Sequence, residues 1–241
     1  MNAHALFVAD VHLCESRPDA SARFFDFLSQ VASRSQALYI LGDLFESWVG
    51  DDDLAAPLYQ SVIRHLADLS AGGVKIHFMH GNRDFMLAQR FARLCGMQLL
   101  SDPVVVDLYG TPTLLTHGDT LCTADVDYQR YRRVVRHPWM MRLLGALPLR
   151  LRQSMAKRAR AGSEQAKTHK SATIMDVDPE AVIALFKQHG VRRMIHGHTH
   201  RPAQHNLDIH GAHHERWVLP DWYDDRGGYV VCDAQACRLV I

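Results

Sequence analysis

The chain of 241 residues contains no uninterrupted apolar run near the roughly 18 residues that a membrane-spanning helix needs, so no span is expected. Its opening residues, MNAHALFVADVH, lack a basic stretch followed by a long apolar run, and a secretory signal is not expected. Cysteine is scarce: Cys14, Cys95, Cys122, Cys232 and Cys237 are odd in number and scattered, which points to a reduced, cytosolic setting. Net charge is only +1, so no global field argues for nucleic acid. Internal repeats and low-complexity segments are absent. A hydrophobic fraction of 47% and a charged fraction of 22% are ordinary for a soluble globular protein with a sizeable core, in one domain or two.

What the chain does have is a series of polar motifs, each placed where an apolar run stops. They are Asp10-Val11-His12, Gly42-Asp43, Gly81-Asn82-Arg83-Asp84, Thr116-His117-Gly118-Asp119 and His196-Gly197-His198-Thr199-His200. Asp10, Asp43 and Asn82 offer oxygen, and His12, His117, His198 and His200 offer nitrogen. Such a set without thiolate suits two first-row divalent ions. Seven ligands serve two ions only if one bridges, and Asp43 is the best candidate. Asp10, His12, Asp43 and His200 then form one site, and Asp43, Asn82, His117 and His198 the other. Alternate residues of an extended segment point the same way, so each Asp-x-His or His-x-His pair reaches one centre. Two ions roughly 3.5–4 Å apart activate water and clamp phosphoryl oxygens.

The first 120 residues alternate between strand and helix patterns. Strands are expected at Ala5–Ala9, Ala37–Leu41, Val74–Met79, Val104–Leu108 and Thr113–Thr116. Helices are expected over Asp19–Ser33, Leu54–Ser70 and Asp84–Leu94. Alternation resumes with a helix over Pro179–His189 and a strand at Arg192–Ile195. Polar motifs at strand ends match the usual ligand position in α/β folds. Residues 121–175 differ. Between Gln129 and Lys170 lie twelve Lys or Arg and one acid, Glu164, beside Trp139-Met140-Met141, Leu143, Leu144, Leu147, Leu149 and Leu151. The segment reads as a helical cap inserted between core segments 1–120 and 176–241. Its apolar residues either line a lipid groove, touch a membrane or pack as core. Arg160, Ser163, Lys167 and Lys170 share one helical face, unless the helix breaks at Gly162 and restarts with Ser163 as N-cap.

Arg83 stays charged throughout the accessible pH range and is no proton donor, but its guanidinium can grip phosphoryl oxygens. A pyrophosphate suits it, because the leaving phosphate, with a second pKa of about 6, needs little protonation. The bland reading is a salt bridge from Arg83 to Asp84. For Asp51 to Asp53 the bland reading, a solvated loop without ligand role, is preferred.

In order and spacing, the motifs from Asp10 to His200 resemble the calcineurin-like metallophosphoesterases, with Arg83 where most members carry histidine. The resemblance implies a four-layer α/β/β/α fold, two sheets packed face to face with helices outside, and the division of ligands given above. Asn82, Arg83 and His117 are then expected at the reacting phosphorus. With the loop Leu44-Phe45-Glu46-Ser47-Trp48-Val49-Gly50-Asp51-Asp52-Asp53 and the basic insertion, the chain is most similar to members that hydrolyse UDP-2,3-diacylglucosamine. That likeness implies manganese, a lipid-linked UDP-sugar substrate, and peripheral residence on the cytoplasmic face of the inner membrane of a Gram-negative bacterium. It also implies that Asn82, Arg83, Asp125, Ser163, Lys167, Lys170 and His198, joined by Tyr128 and Arg160, hold the substrate. A nucleotide or cyclic-nucleotide phosphodiesterase fits the metal site but gives no reason for the apolar, basic insertion. A nuclease groove is disfavoured by the few aromatics there for base stacking. A scaffold with a structural metal has no need of so complete a ligand set.

Overall fold

The computed structural model describes residues 3–169 and 176–241, with side chains for all of these except 161–169. In chain order the elements begin with β1 (His4–Val8), α1 (Pro18–Gln30), β2 (Ala37–Leu41), α2 (Pro57–Ala71), β3 (Lys75–Met79), α3 (Gln89–Leu94), β4 (Met97–Leu100), β5 (Val104–Leu108) and β6 (Thr111–Leu115). Three helices follow, α4 (Val126–Val135), α5 (Pro138–Ala146) and α6 (Leu149–His169). The chain closes with α7 (Pro179–His189), β7 (Arg193–His196), β8 (Ala203–Ile209), β9 (Ala212–Val218), β10 (Tyr229–Asp233) and β11 (Cys237–Val240).

Two mixed sheets result, in the orders β11-β10-β1-β2-β3-β4 and β5-β6-β7-β9-β8. The alternation of side chains along each strand explains how they stack. On β1, Leu6 and Val8 face outward into a core with Phe24, Phe27 and Leu28 of α1, Val62 and Leu66 of α2, and Phe91 of α3. Ala5 and Phe7 face inward and meet Leu115, Ile195 and Trp217 of the other sheet. The far face of that second sheet packs Leu114 and Met194 against Val182 and Phe186 of α7. Helices, sheet, sheet and helix therefore form four layers. β2 is buried along its whole length, as a central parallel strand covered on both faces must be.

Strand positions agree with the sequence reading to within two residues, while several helix starts differ. α1 ends at Gln30 and is followed by a short 3₁₀ turn, Ala32–Arg34. α2 begins at Pro57, whose missing N–H costs nothing at a first helical position. α3 begins at Gln89 rather than Asp84, because the cap comes from another loop: Asp51 accepts hydrogen bonds from the N–H of Ala88 (2.9 Å) and of Phe91 (2.8 Å). β4 was not foreseen. Neither was the bond between Cys232 and Cys237, which corrects the expectation of reduced thiols throughout. Antiparallel pairing of β10 with β11 sets the two opposite each other, 4.0 Å apart at Cα.

No residue of α4 or α5 is buried, and between 139 and 151 every side chain keeps some exposure. The core-packing reading of that apolar stretch therefore does not hold. α6 is fastened by Arg152, only 5% exposed, which donates to the Val49 carbonyl and pairs with Asp52. Gln153 donates to Asp53 at 2.9 Å. The aspartates 51 to 53 are thus anchors for α3 and α6 rather than a solvated loop. Among the described residues no helix is long and apolar enough to cross a membrane.

Candidate metal centre

Parallel strands β1, β2 and β3 of one sheet and β6 and β7 of the other end together, and each polar motif follows one of those ends. The backbone there is unusual. Asp10, His12, Asp43, His198 and His200 all take positive φ, between 51° and 70°, a conformation that side chains other than glycine adopt rarely and at a cost. Gly42 lets the loops approach, since a Cβ there would meet the Gly81 backbone and the His117 ring at 2.6 Å. Asp84, fully buried, accepts from the N–H groups of Leu44 (2.7 Å), Gly81 (2.8 Å) and Asp43 (3.3 Å), tying two loops together.

The seven residues converge in two groups. His200 Nε2 lies 3.5 Å from Asp10 Oδ1, and His12 Nε2 lies 3.9 Å from both Asp10 Oδ1 and Asp43 Oδ2. His117 Nε2 lies 3.1 Å from Asn82 Oδ1 and 4.0 Å from Asp43 Oδ1, and His198 Nδ1 is 3.0 Å from Asn82 Oδ1. Asp43 belongs to both groups, through different oxygens. Asp10 also reaches the second, with its carboxylate oxygen within 4.8 Å of an Asp43 oxygen and a His117 ring nitrogen.

Divalent cations fit this arrangement. Asp10 Oδ1 is buried without a hydrogen-bond partner, and His12 and His200 turn ring nitrogens toward each other at 3.4 Å. The second ring nitrogens of His117 and His200 are already engaged. His117 Nδ1 meets the Leu41 carbonyl at 2.8 Å, and a carbonyl only accepts, so Nδ1 carries the proton and Nε2 faces the centre. His200 Nδ1 is held likewise by Asp221 at 3.2 Å. Burial holds His12 well below its ordinary pKa and lowers His198 to about 3, keeping both in the neutral, ligating form. Burial opposes charge on His200 too, yet Asp10 and Asp221 outweigh it and raise the group to about 10. Burial, with Asp84 and Asp10 nearby, pushes Asp43 up to about 7. The carboxylates that hold a proton on His200 would attract a cation in its place. His196 is not a candidate ligand: its Nδ1 donates to the Gly197 carbonyl and its Nε2 accepts from Arg216.

Around the centre the structure assigns partners that sequence reading missed. Arg83 does not pair with Asp84. Its guanidinium meets Glu46 at 2.5 Å, while its N–H donates to Asp43 at 2.8 Å. Glu46 is buried and also meets Arg160 at 3.0 Å, Arg17 at 3.2 Å and His12 Nδ1 at 3.5 Å. One carboxylate thus joins the His12 loop, Arg83 and α6. Asp119 does similar work for α4, meeting the Tyr128 hydroxyl at 2.5 Å and Arg132 at 2.7 Å. The Tyr128 ring stacks at 6.1 Å on His198. Asp125 caps α4 by accepting from the Tyr128 N–H at 3.2 Å. Lys170 and the side chains of Ser163 and Lys167 lie outside the described residues. Asp119 was at least visible as part of a motif. Nothing in the sequence pointed to Asp221.

Comparison with known proteins adds to this geometry. A family model described as calcineurin-like phosphoesterase matches residues 3–202. A UDP-2,3-diacylglucosamine hydrolase of Aeromonas hydrophila is 49% identical over 234 residues, covering 97% of this chain and 96% of its own. A protein of the same name from Pseudomonas aeruginosa is 48% identical over 233 residues, covering 97% and 96%. Among solved structures, an archaeal phosphodiesterase aligns over 98% of both chains at 11% identity, with a TM-score of 0.47.

Proposed function

Because this chain belongs to the calcineurin-like phosphoesterase family, we propose that it hydrolyses the pyrophosphate of UDP-2,3-diacylglucosamine to 2,3-diacylglucosamine 1-phosphate and UMP. The observation that carries this reading is the sharing of Asp43 between two ligand groups with Arg83 held beside them, in a chain alike over nearly its whole length to hydrolases of that substrate. Asp10, His12, Asp43 and His200 would hold one ion, and Asp43, Asn82, His117 and His198 the other, with manganese as the metal. When bound, such ions lower the pKa of water and offset charge on phosphoryl oxygens.

The protein's own groups do the rest. The Arg83 guanidinium, fixed by Glu46, grips phosphoryl oxygens and stabilises the charge that grows on them. It has no proton to give, and the leaving phosphate needs little. Asn82 and His198 orient the phosphate from the other side, with Tyr128 stacked behind His198. Asp125, Arg160, Ser163, Lys167 and Lys170 complete the grip on phosphate and sugar. Residues 121–175 act as a cap on the core formed by 1–120 and 176–241. Its exposed Trp139, Leu143, Leu151 and Met155 face acyl chains or the membrane, consistent with a peripheral place on the cytoplasmic face. Incubation with UDP-2,3-diacylglucosamine and manganese in oxygen-18 water tests the reading. Label in UMP is the expected result, for attack on the uridine-side phosphorus. Label in the lipid phosphate reverses that choice, and an intact substrate rejects the reaction.

A further inference from the structure

A cavity of about 390 Å³ opens beside Glu46, and neither Tyr128 nor His198 lines it. It shares Glu46 with the metal-ligand loop, and Glu46 lies 3.5 Å from His12. We propose that this cavity binds the nucleoside half of the substrate, an inference that rests on the reaction proposed above.

The lining decides what fits. Leu13, Leu58 and Tyr59 give it apolar and aromatic lining, while Glu15, Glu46 and Asp53 contribute three acids. Those acids disfavour a phosphate inside the cavity, because three carboxylates outnumber the one cation on the lining, Arg160. An acyl chain is disfavoured as well, since it would strip water from carboxylates without returning a hydrogen bond. A neutral ligand rich in donors is what remains. Ribose hydroxyls and a base N–H donate to carboxylates, and a flat base suits a lining that includes leucine and tyrosine. The volume is at the lower end of ordinary ligand pockets, the scale of one nucleoside rather than two acyl chains. The partition also follows. Tyr128 and His198, the groups expected to hold the sugar phosphate, do not line the cavity, whereas Glu46 both lines it and meets His12, so a pyrophosphate held at the centre can extend its nucleoside past Glu46.

Cys14 lies on the cavity wall and is half-buried, whereas Cys95 and Cys122 are buried and the other two are joined. It provides a readout that needs neither turnover nor metal. The rate of iodoacetamide alkylation at Cys14, followed by mass spectrometry on the metal-free full chain, is expected to fall at least threefold with uridine or UMP. Inorganic phosphate should leave it unchanged. Ala56→Trp, which places a large ring in the cavity, should abolish uridine protection. It should also raise KM for UDP-2,3-diacylglucosamine at least tenfold, with kcat changed less than threefold. Unprotected Cys14 at saturating uridine, in a chain that hydrolyses the lipid-linked substrate, overturns the nucleoside site and leaves the reaction standing. Uridine protection in a chain without hydrolysis overturns the reaction and retains a nucleoside pocket.

Discussion

The centre and the helices α4 to α6 are built on opposite plans. At the centre, Asp10, Asp43, Asp84 and His117 are all but fully buried, and five ligand candidates sit in costly backbone conformations braced by carboxylate-to-N–H bonds. In the helices over it, α4 and α5 bury nothing, and attachment runs through a few arginines: Arg132 to Asp119, Arg152 to Asp52 and Arg160 to Glu46. Strain of this kind persists only where surroundings over-determine it, and ligand atoms held so need little reorganisation to bind ions. Each of these pairs joins one buried group to a more exposed partner, so the helices are held at a few points rather than by a packed face.

The sharpest break of this contrast is Asp43→Ala, which removes the side chain whose two oxygens face different ligand groups. Turnover is expected to fall at least a thousandfold, about 4 kcal/mol in the barrier, with metal content lowered at both positions by elemental analysis. Loss of one ion alone would mean that the groups are independent. Arg83→Ala comes next: a fall of roughly ten- to a thousandfold in kcat with both ions retained, since a charge-assisted contact in a water-poor site is worth about 2–4 kcal/mol. Arg83→His should not restore full rate on the pyrophosphate. Normal turnover with lower thermal stability would make Arg83 structural.

Much of the centre was legible because its ligands recur at five strand ends in a fixed order, a pattern that no single pair would carry. Glu46 was not legible. Its role arises from three arginines separated by up to 143 positions, Arg17, Arg83 and Arg160, which meet only in the folded chain. The helix start at Gln89 was hidden for the same reason, since its cap, Asp51, belongs to a distant loop. Asp221 holds His200 from a turn with no periodic pattern. The exposure of Trp139 and Leu143 was open in the sequence because apolar residues at helical spacing read alike whether they face core or solvent.

Glu46 links the two regions, and Glu46→Gln should show a smaller effect than loss of Arg83. Removing its charge while keeping its shape is expected to lower kcat about tenfold, roughly 1.4 kcal/mol, and to increase amide exchange in α6. Unchanged kcat and exchange would leave Glu46 without a positioning role. The smallest effect belongs to Leu143→Ser, Leu144→Ser and Leu147→Ser, in and just after α5. KM for the diacylated substrate should rise several-fold, with less effect on a deacylated analogue and none on metal content. Equal losses on both substrates would remove the lipid from the description of these helices.

The bridging role of Asp43 is open to direct observation by elemental analysis and electron paramagnetic resonance of the manganese-loaded, active chain. Two ions per chain with the spectrum of an exchange-coupled pair is the expected result, because both carboxylate oxygens of Asp43 face ligand groups. One tightly bound ion in fully active protein, with the sextet of isolated manganese, would contradict the shared centre.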